Sequence, residues 1–239
     1  MKYKLTWATM IPIYLTVFIV CLCITVTGSK IVTIFAENTQ LPDRTCIIID
    51  AGHGGVDGGA TSCTGVLESQ FNLEIAIRLN DLLRLLGYPT QMIRETDISV
   101  YTEGQTIAAK KVSDLKNRVN TVNQTKNALL VSIHQNYFVQ NQYSGAQVFY
   151  PNYDESKLLA TELQKQLIAS LNTGSQRKAK KASGIYLMDH IKTTGILLEC
   201  GFISNPVEEA RLRDSTYQKQ LCCVISSVLS NFLDRRYVG

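Results

Sequence analysis

The chain has 239 residues, 45% of them hydrophobic, with seven cysteines and a formal net charge of +4. That length and apolar fraction suit one sizeable core plus an appendage. The mild charge, without a basic patch interleaved with aromatics, argues against a nucleic-acid partner. The cysteines (Cys21, Cys23, Cys46, Cys63, Cys200, Cys222 and Cys223) are odd in number and contain no CxxC pair. A disulfide framework and a cysteine-ligated zinc site are therefore both unexpected, and most of them read as small apolar residues.

Lys2 and Lys4 precede an uncharged run from Trp7 to Thr27, close to the ~20 residues that cross a bilayer as a helix. The lysines hold the amino end in the cytoplasm and leave the rest exported, and Pro12 falls near the start of the run, where a membrane helix tolerates it. No A-x-A cleavage site follows, and no lipoprotein box precedes Cys21 or Cys23. Residues 1–35 are thus read as an uncleaved membrane anchor, the alternative being a cleaved signal and a secreted product. Residues 36–44 read as a linker and 45–234 as the exported folded domain.

Within that domain strand and helix signals alternate, as in a single α/β domain with a mostly parallel sheet flanked by helices. A strand is expected at Thr45–Asp50, then a helix over Glu68–Leu86, with Phe71, Ile75, Leu79 and Leu83 at helical spacing and Gly87 as the stop. Pro89–Arg94 reads as a strand, Val112–Gln124 as a helix, and Ala128–Ile133 as a buried strand that ends at His134. A strand at Gln147–Tyr150, a helix at Leu158–Leu171 and a basic loop at Thr173–Lys181 follow. Ile185–Met188 and Ile196–Leu198 read as strands, the second ending at Glu199. A short helix after Asn205–Pro206 and a closing helix from about Tyr217 to Phe232 complete the chain.

The chemistry gathers at the ends of strands. Ile47, Ile48 and Ile49 stop at Asp50, and a loop crowded with glycine carries His53 and ends at Glu68, where a helix opens. His134 and Glu199 likewise follow strands. In an open, mostly parallel sheet such ends meet along one edge, where ligands bind. Two histidines and a glutamate with an open fourth position make a catalytic zinc site, and a further glutamate beside it serves as general base. None of the spacings is a short ligand pair such as HExxH, so spacing alone does not decide the matter.

Each of these residues has a simpler reading. His53 can cap loop backbone, Glu68 can be a favourable acid in a helix's first turn, and His134 can be a satisfied core histidine. Glu199 at the end of an apolar strand is harder to dismiss, because a buried unpaired carboxylate is costly. His190 reads as a loop residue. Asp50 and Asn136 are read as groups that orient their neighbours, and Arg94, Arg118 and Asn120 as structural. Arg177, Lys178, Lys180 and Lys181 read either as a solvated loop or as a rim that attracts peptidoglycan carboxylates.

The segments DAGHGGVDGGA, Glu68 with NLEIA after it, RETD, SIHQN and LLECGFISN occur in this order across about residues 45–234. They resemble the zinc-dependent N-acetylmuramoyl-L-alanine amidases of bacterial cell walls. The resemblance implies His53, Glu68 and His134 as ligands of Zn²⁺ and Glu199 as the catalytic carboxylate. It also implies a twisted six-stranded sheet flanked by helices. SGAQVFY (144–150), RKAKKASGIYLM (177–188) and DLKNRVN (114–120), with the anchor and the lack of wall-binding repeats, narrow the likeness to the spore-cortex amidases of endospore formers.

That narrower resemblance implies cleavage between the lactyl group of N-acetylmuramic acid and L-alanine, ahead of a muramic acid deacetylase that completes muramic δ-lactam. It implies peptidoglycan as partner and a forespore or cell-envelope location. With so little built-in binding apparatus, a membrane-associated activator protein is a further expectation. Gln135, Tyr137 and Cys200 depart from the family pattern and are expected to alter pocket shape or metal access. Another zinc peptidoglycan peptidase and a non-catalytic wall-binding protein remain the alternative readings.

Overall fold

In the computed structural model of the chain, residues 44–238 are described. The anchor expected over residues 1–35, and all but the last residue of the linker, lie outside them. Among the described residues, no helix is long and apolar enough to cross a membrane.

Six strands form one sheet: β1 (Cys46–Ala51), β2 (Thr90–Met92), β3 (Ala128–Asn136), β4 (Gln147–Tyr150), β5 (Lys180–Lys181) and β6 (Thr194–Phe202). Their spatial order is β2-β1-β3-β6-β4-β5. All neighbours run parallel except β4, which is antiparallel to β6. The sheet is therefore six-stranded and mostly parallel, as expected. The helices are α1 (Glu68–Leu85), α2 (Ile107–Gln124), α3 (Asp154–Ser170), α4 (Tyr186–His190), α5 (Pro206–Arg213) and α6 (Ser215–Val238).

The central strands are continuous apolar runs because both of their faces are covered. Ile47, Ile49, Leu129, Val131, Ile133, Ile196 and Leu198 face one core, which α1, α3 and α6 close with Ile75, Leu79, Leu163 and Ile225. Ile48, Leu130 and Leu197 face the other, where α2 and α4 supply Val119, Val122, Leu187 and Met188. Each fully buried isoleucine or leucine contributes roughly 2 kcal/mol of hydrophobic stabilisation, so these two layers, not the loops, hold the sheet edge in place.

Several expectations about elements need correction. Ile185–Met188 is not a strand: Tyr186–His190 forms α4, whose Leu187 and Met188 pack into the second core. His190 accordingly ends a helix, its ring stacked on Tyr186 at a centroid distance of 4.0 Å. The strands carrying His134 and Glu199 do not end there but run on to Asn136 and Phe202, so both residues sit within the ladder. Helix α2 starts five residues early, at Ile107, because the Thr106 side chain caps it by accepting from the Ala109 N–H at 3.1 Å. The basic loop closes in the short edge strand β5.

Candidate active site

Alternation along the strands decides which side chains reach the site. Asp50 of β1, Ser132 and His134 of β3, and Glu199 of β6 share a face with Ile48, Leu130 and Leu197 and lie beyond them toward the strand ends. His134 and Glu199 are direct register partners, so their backbones lie about 5 Å apart. The glycine loop after β1 then carries His53 back over this edge, and α1 begins with Glu68.

The three residues converge. Glu68 lies between the histidines, its Oε2 3.3 Å from His53 Nε2 and its Oε1 3.0 Å from His134 Nδ1. The two imidazoles approach edge-to-face, with centroids 5.0 Å apart. One ligand atom from each of His53, Glu68 and His134 lies within 4.8 Å of the others, an arrangement that can hold a metal ion. Glu199 adjoins the group. The residue is half-buried, and its Oε2 is shielded from solvent with no hydrogen-bond partner.

The backbone around the cluster is built for this approach. A Cβ on Gly52 would lie 2.2 Å from the His134 ring, and one on Gly59 would lie 2.7 Å from Glu68 Oε2. His53 itself takes φ of 60°, a left-handed conformation uncommon for a residue with a side chain. Two buried arginines hold it there. Arg94 donates to the carbonyls of Ala51, Gly52 and Ser69, and Arg118 to those of Ala51 and His53. Arg118 also pairs with Asp50 and Asp114, and Asp50 accepts from the Ser132 hydroxyl at 2.6 Å. The structural reading of Arg94 and Arg118 and the orienting reading of Asp50 fit these contacts. Asn136 is seen to accept from the Ile203 N–H through its carbonyl.

Three supporting residues, Asp57, Lys111 and Asn72, carry no such expectation from the sequence. Asp57 Oδ2 lies 2.9 Å from His53 Nδ1, and Lys111 Nζ lies 3.1 Å from the same oxygen. The signal for Asp57 was local, a carboxylate four residues beyond the loop histidine. Asn72 donates to Glu68 Oε1 and to the Gly52 carbonyl, and Gln135 donates its side-chain N–H to Asn72 Oδ1. The Gln135 and Ala60 backbone N–H groups complete the grip on the Glu68 carboxylate, at 3.2 and 3.1 Å. Gln135 thus supports Glu68 from beneath. Cys200 points into the opposite core and is fully buried there. Tyr137 is half-exposed in the loop after β3.

Electrostatics divide the two glutamates. Burial alone would raise both. For Glu68, hydrogen bonds and charge from His134 and His53 overcome it and hold the carboxyl far below its usual range. For Glu199, burial wins: helped by the Glu68 charge and opposed by the two histidines, it pushes the carboxyl up to about 7. His53 is lifted to about 9 against its burial by Asp57 and Glu68. A cavity of about 270 Å³ opens onto the cluster, lined by His53, Asp57, Lys111, Arg118, His134 and Tyr186 among others.

Together the fold and the cluster define an α/β domain of hydrolase type whose strand edge carries a His-Glu-His set able to hold a metal ion. The chain belongs to the N-acetylmuramoyl-L-alanine amidase family, whose pattern matches residues 47–231. It is 39% identical over 189 residues to the germination-specific N-acetylmuramoyl-L-alanine amidase of Bacillus subtilis, a match covering 78% of each chain. Among solved structures it is similar to the CwlD amidase of Clostridioides difficile in complex with the GerS lipoprotein, with a TM-score of 0.77 at 35% identity over 80% of this chain and 99% of that one. An N-acetylmuramoyl-L-alanine amidase from Clostridium difficile 630 superposes with a TM-score of 0.69 at 29% identity, covering 80% and 98%.

Proposed function

We propose that this amidase works as a zinc enzyme of the germination-specific type, with His53, Glu68 and His134 as metal ligands and Glu199 as general base and acid. The observation that carries the assignment is the Oε2 atom of Glu199, buried and unpartnered beside a two-histidine, one-glutamate donor set. A buried carboxylate oxygen left unpaired costs stability, and a role in catalysis explains its retention. The donor set and the absence of a Cβ at Gly52, where the His134 ring comes close, fit a compact cation.

Zinc held by these residues would activate water and polarise the scissile carbonyl. Glu199 takes the proton of the attacking water as a C–O bond forms at the lactyl carbonyl. It then gives that proton to the nitrogen of L-alanine as the C–N bond breaks. Its carboxyl, lifted to about 7 by burial, can take and release a proton near neutrality. Asp57 accepts from His53 Nδ1 and so leaves Nε2 turned toward Glu68.

Likeness to the germination-specific amidase supports a role in the spore cortex, upstream of a deacetylase that closes muramic δ-lactam. The complex of the related CwlD amidase with a lipoprotein supports an activating protein partner for this chain as well. The charge pattern of residues 1–35 supports a membrane-anchored, exported enzyme in the forespore or cell envelope.

The test is muropeptide mass spectrometry on cortex-type peptidoglycan incubated with the zinc-loaded full chain. Free stem peptides beginning with L-alanine, lost on chelation and restored by zinc, are the expected result. Peptides trimmed at another bond would move the chain to a different peptidoglycan peptidase. Cleavage that survives chelation would overturn the metal assignment.

A further inference from the structure

A second concave surface lies on the far side of Glu199. It is a groove of about 1050 Å³ between the loop before β4, the loop after α3, and α5. Four cations line it: Arg177, Lys178, Lys180 and Arg211. Among the described residues none of the four is ion-paired with a carboxylate. The acid in the lining, Glu208, is buried and already committed: Gly145 N–H donates to its oxygens at 2.8 and 2.9 Å, and Phe202 N–H at 2.9 Å. The groove therefore presents positive charge that the fold itself does not neutralise, and such a cleft concentrates anions.

Its position says which anion. In the reaction proposed above, Glu199 returns a proton to the amine of L-alanine, so the peptide half of the substrate departs on the Glu199 side of the cluster. The next strand on that side is β4, whose Gln147 is the register partner of Glu199 and lines the groove. Beyond it lies β5, whose Lys180 pairs with Phe149. Two strand spacings place Lys180 about 10 Å from β6, a distance that roughly three extended residues span. Arg177 is already oriented: its guanidinium lies 4.9 Å from the Phe202 ring centre and donates to the Ser144 carbonyl at 3.0 Å.

We propose that this groove binds the acidic stem peptide beyond L-alanine, its carboxylates set against Arg177, Lys178, Lys180 and Arg211. The inference rests on the amidase reading for its direction, and it is tested by binding, not by turnover. Fluorescence anisotropy of the full chain is measured with a labelled free stem peptide and with the same peptide amidated at its carboxylates. Wild type is expected to bind the carboxylate form about tenfold more tightly, with the preference fading at high salt. The triple variant Lys178→Gln, Lys180→Gln, Arg211→Gln, which leaves Arg177 in its backbone contact, should lose most of that preference.

Equal affinity of wild type for the two peptides overturns the proposal whatever the variant does, and so does a preference that survives undiminished in a folded triple variant. If poly(glycerol phosphate) binds in a cation-dependent way and the peptide does not, the groove is a phosphate site instead. Because the free peptide needs no cleavage to bind, a chain that trims the stem peptide at another bond but keeps the carboxylate preference would refute the amidase reading and leave the groove standing.

Discussion

Asp57 sets its Oδ2 2.9 Å from Nδ1 of His53, while Lys111 holds the same carboxylate from the other side at 3.1 Å. The contact selects the imidazole tautomer that carries its proton on Nδ1, freeing Nε2 for a metal. Carboxylates in this position typically raise metal affinity 10–100-fold. Asp57→Asn should therefore weaken zinc binding by about that factor, with little change in fold, as read by competition against a chromogenic chelator. Unchanged affinity would reduce Asp57 to a loop contact.

Gly52 gives a sharper test of the cluster, because it alters no ligand. A Cβ there would stand 2.2 Å from Cε1 and Nε2 of His134, well inside van der Waals contact. The ring is held by Glu68 and its strand is central, so it must swing out of place. Gly52→Ala should lower zinc occupancy at least about tenfold while far-ultraviolet circular dichroism stays native. His134→Ala, which removes the donor itself, should lose both the metal and the activity.

How much of this was legible beforehand follows from what each feature depends on. Ile47–Ile49, Leu129–Ile133 and Ile196–Leu198 announce buried parallel strands because apolarity on both faces is a property of the run itself. Ile185–Met188 misleads for the same reason: a short apolar run fits a strand or a helical turn equally, and only its packing beside α2 decides for α4. His53, Glu68, His134 and Glu199 could be named from motif order, although their spacing in the chain says nothing of their approach in space. The support of Glu68 by Asn72 and Gln135, and of the loop carbonyls by Arg94 and Arg118, was not legible. Those contacts join residues between 4 and 67 positions apart, and tertiary structure alone brings most of them together.

Arg118 shows how far the loop depends on such buried charge. It pairs with Asp50 and Asp114 and donates to the carbonyls of Ala51 and His53, all within a nearly dry interior. Removing one partner of a buried pair leaves the other uncompensated, at a cost of about 3–5 kcal/mol. Arg118→Met should lower the melting temperature by roughly 10 °C and loosen zinc binding, since His53 loses the donor that pins its carbonyl. A melting temperature within a degree or two of wild type would mean that water or a neighbouring cation takes over.

Glu199 ties activity and stability together with opposite signs. Glu199→Gln should keep its zinc and lose about 10²–10⁴-fold in kcat, because an amide can neither take nor return the proton. Burial lifts the folded carboxyl to about 7 from an ordinary 4.5. Between those values the native protein keeps a proton that the unfolded chain has released, so stability falls as pH rises through this window. The loss is complete above pH 7 and amounts to at most about 3 kcal/mol. In the metal-free protein, then, Glu199→Gln should melt higher than wild type at pH 8, with the difference shrinking toward zero near pH 4.5. Calorimetry of the two proteins across that range decides it: a constant gap would trace the gain to packing, and no gap would mean that the carboxylate is solvated or paired after all. The expected pattern would show that the fold gives up stability at neutral pH to keep an ionisable group beside the cluster, which is the behaviour of a catalytic carboxylate and not of a structural one.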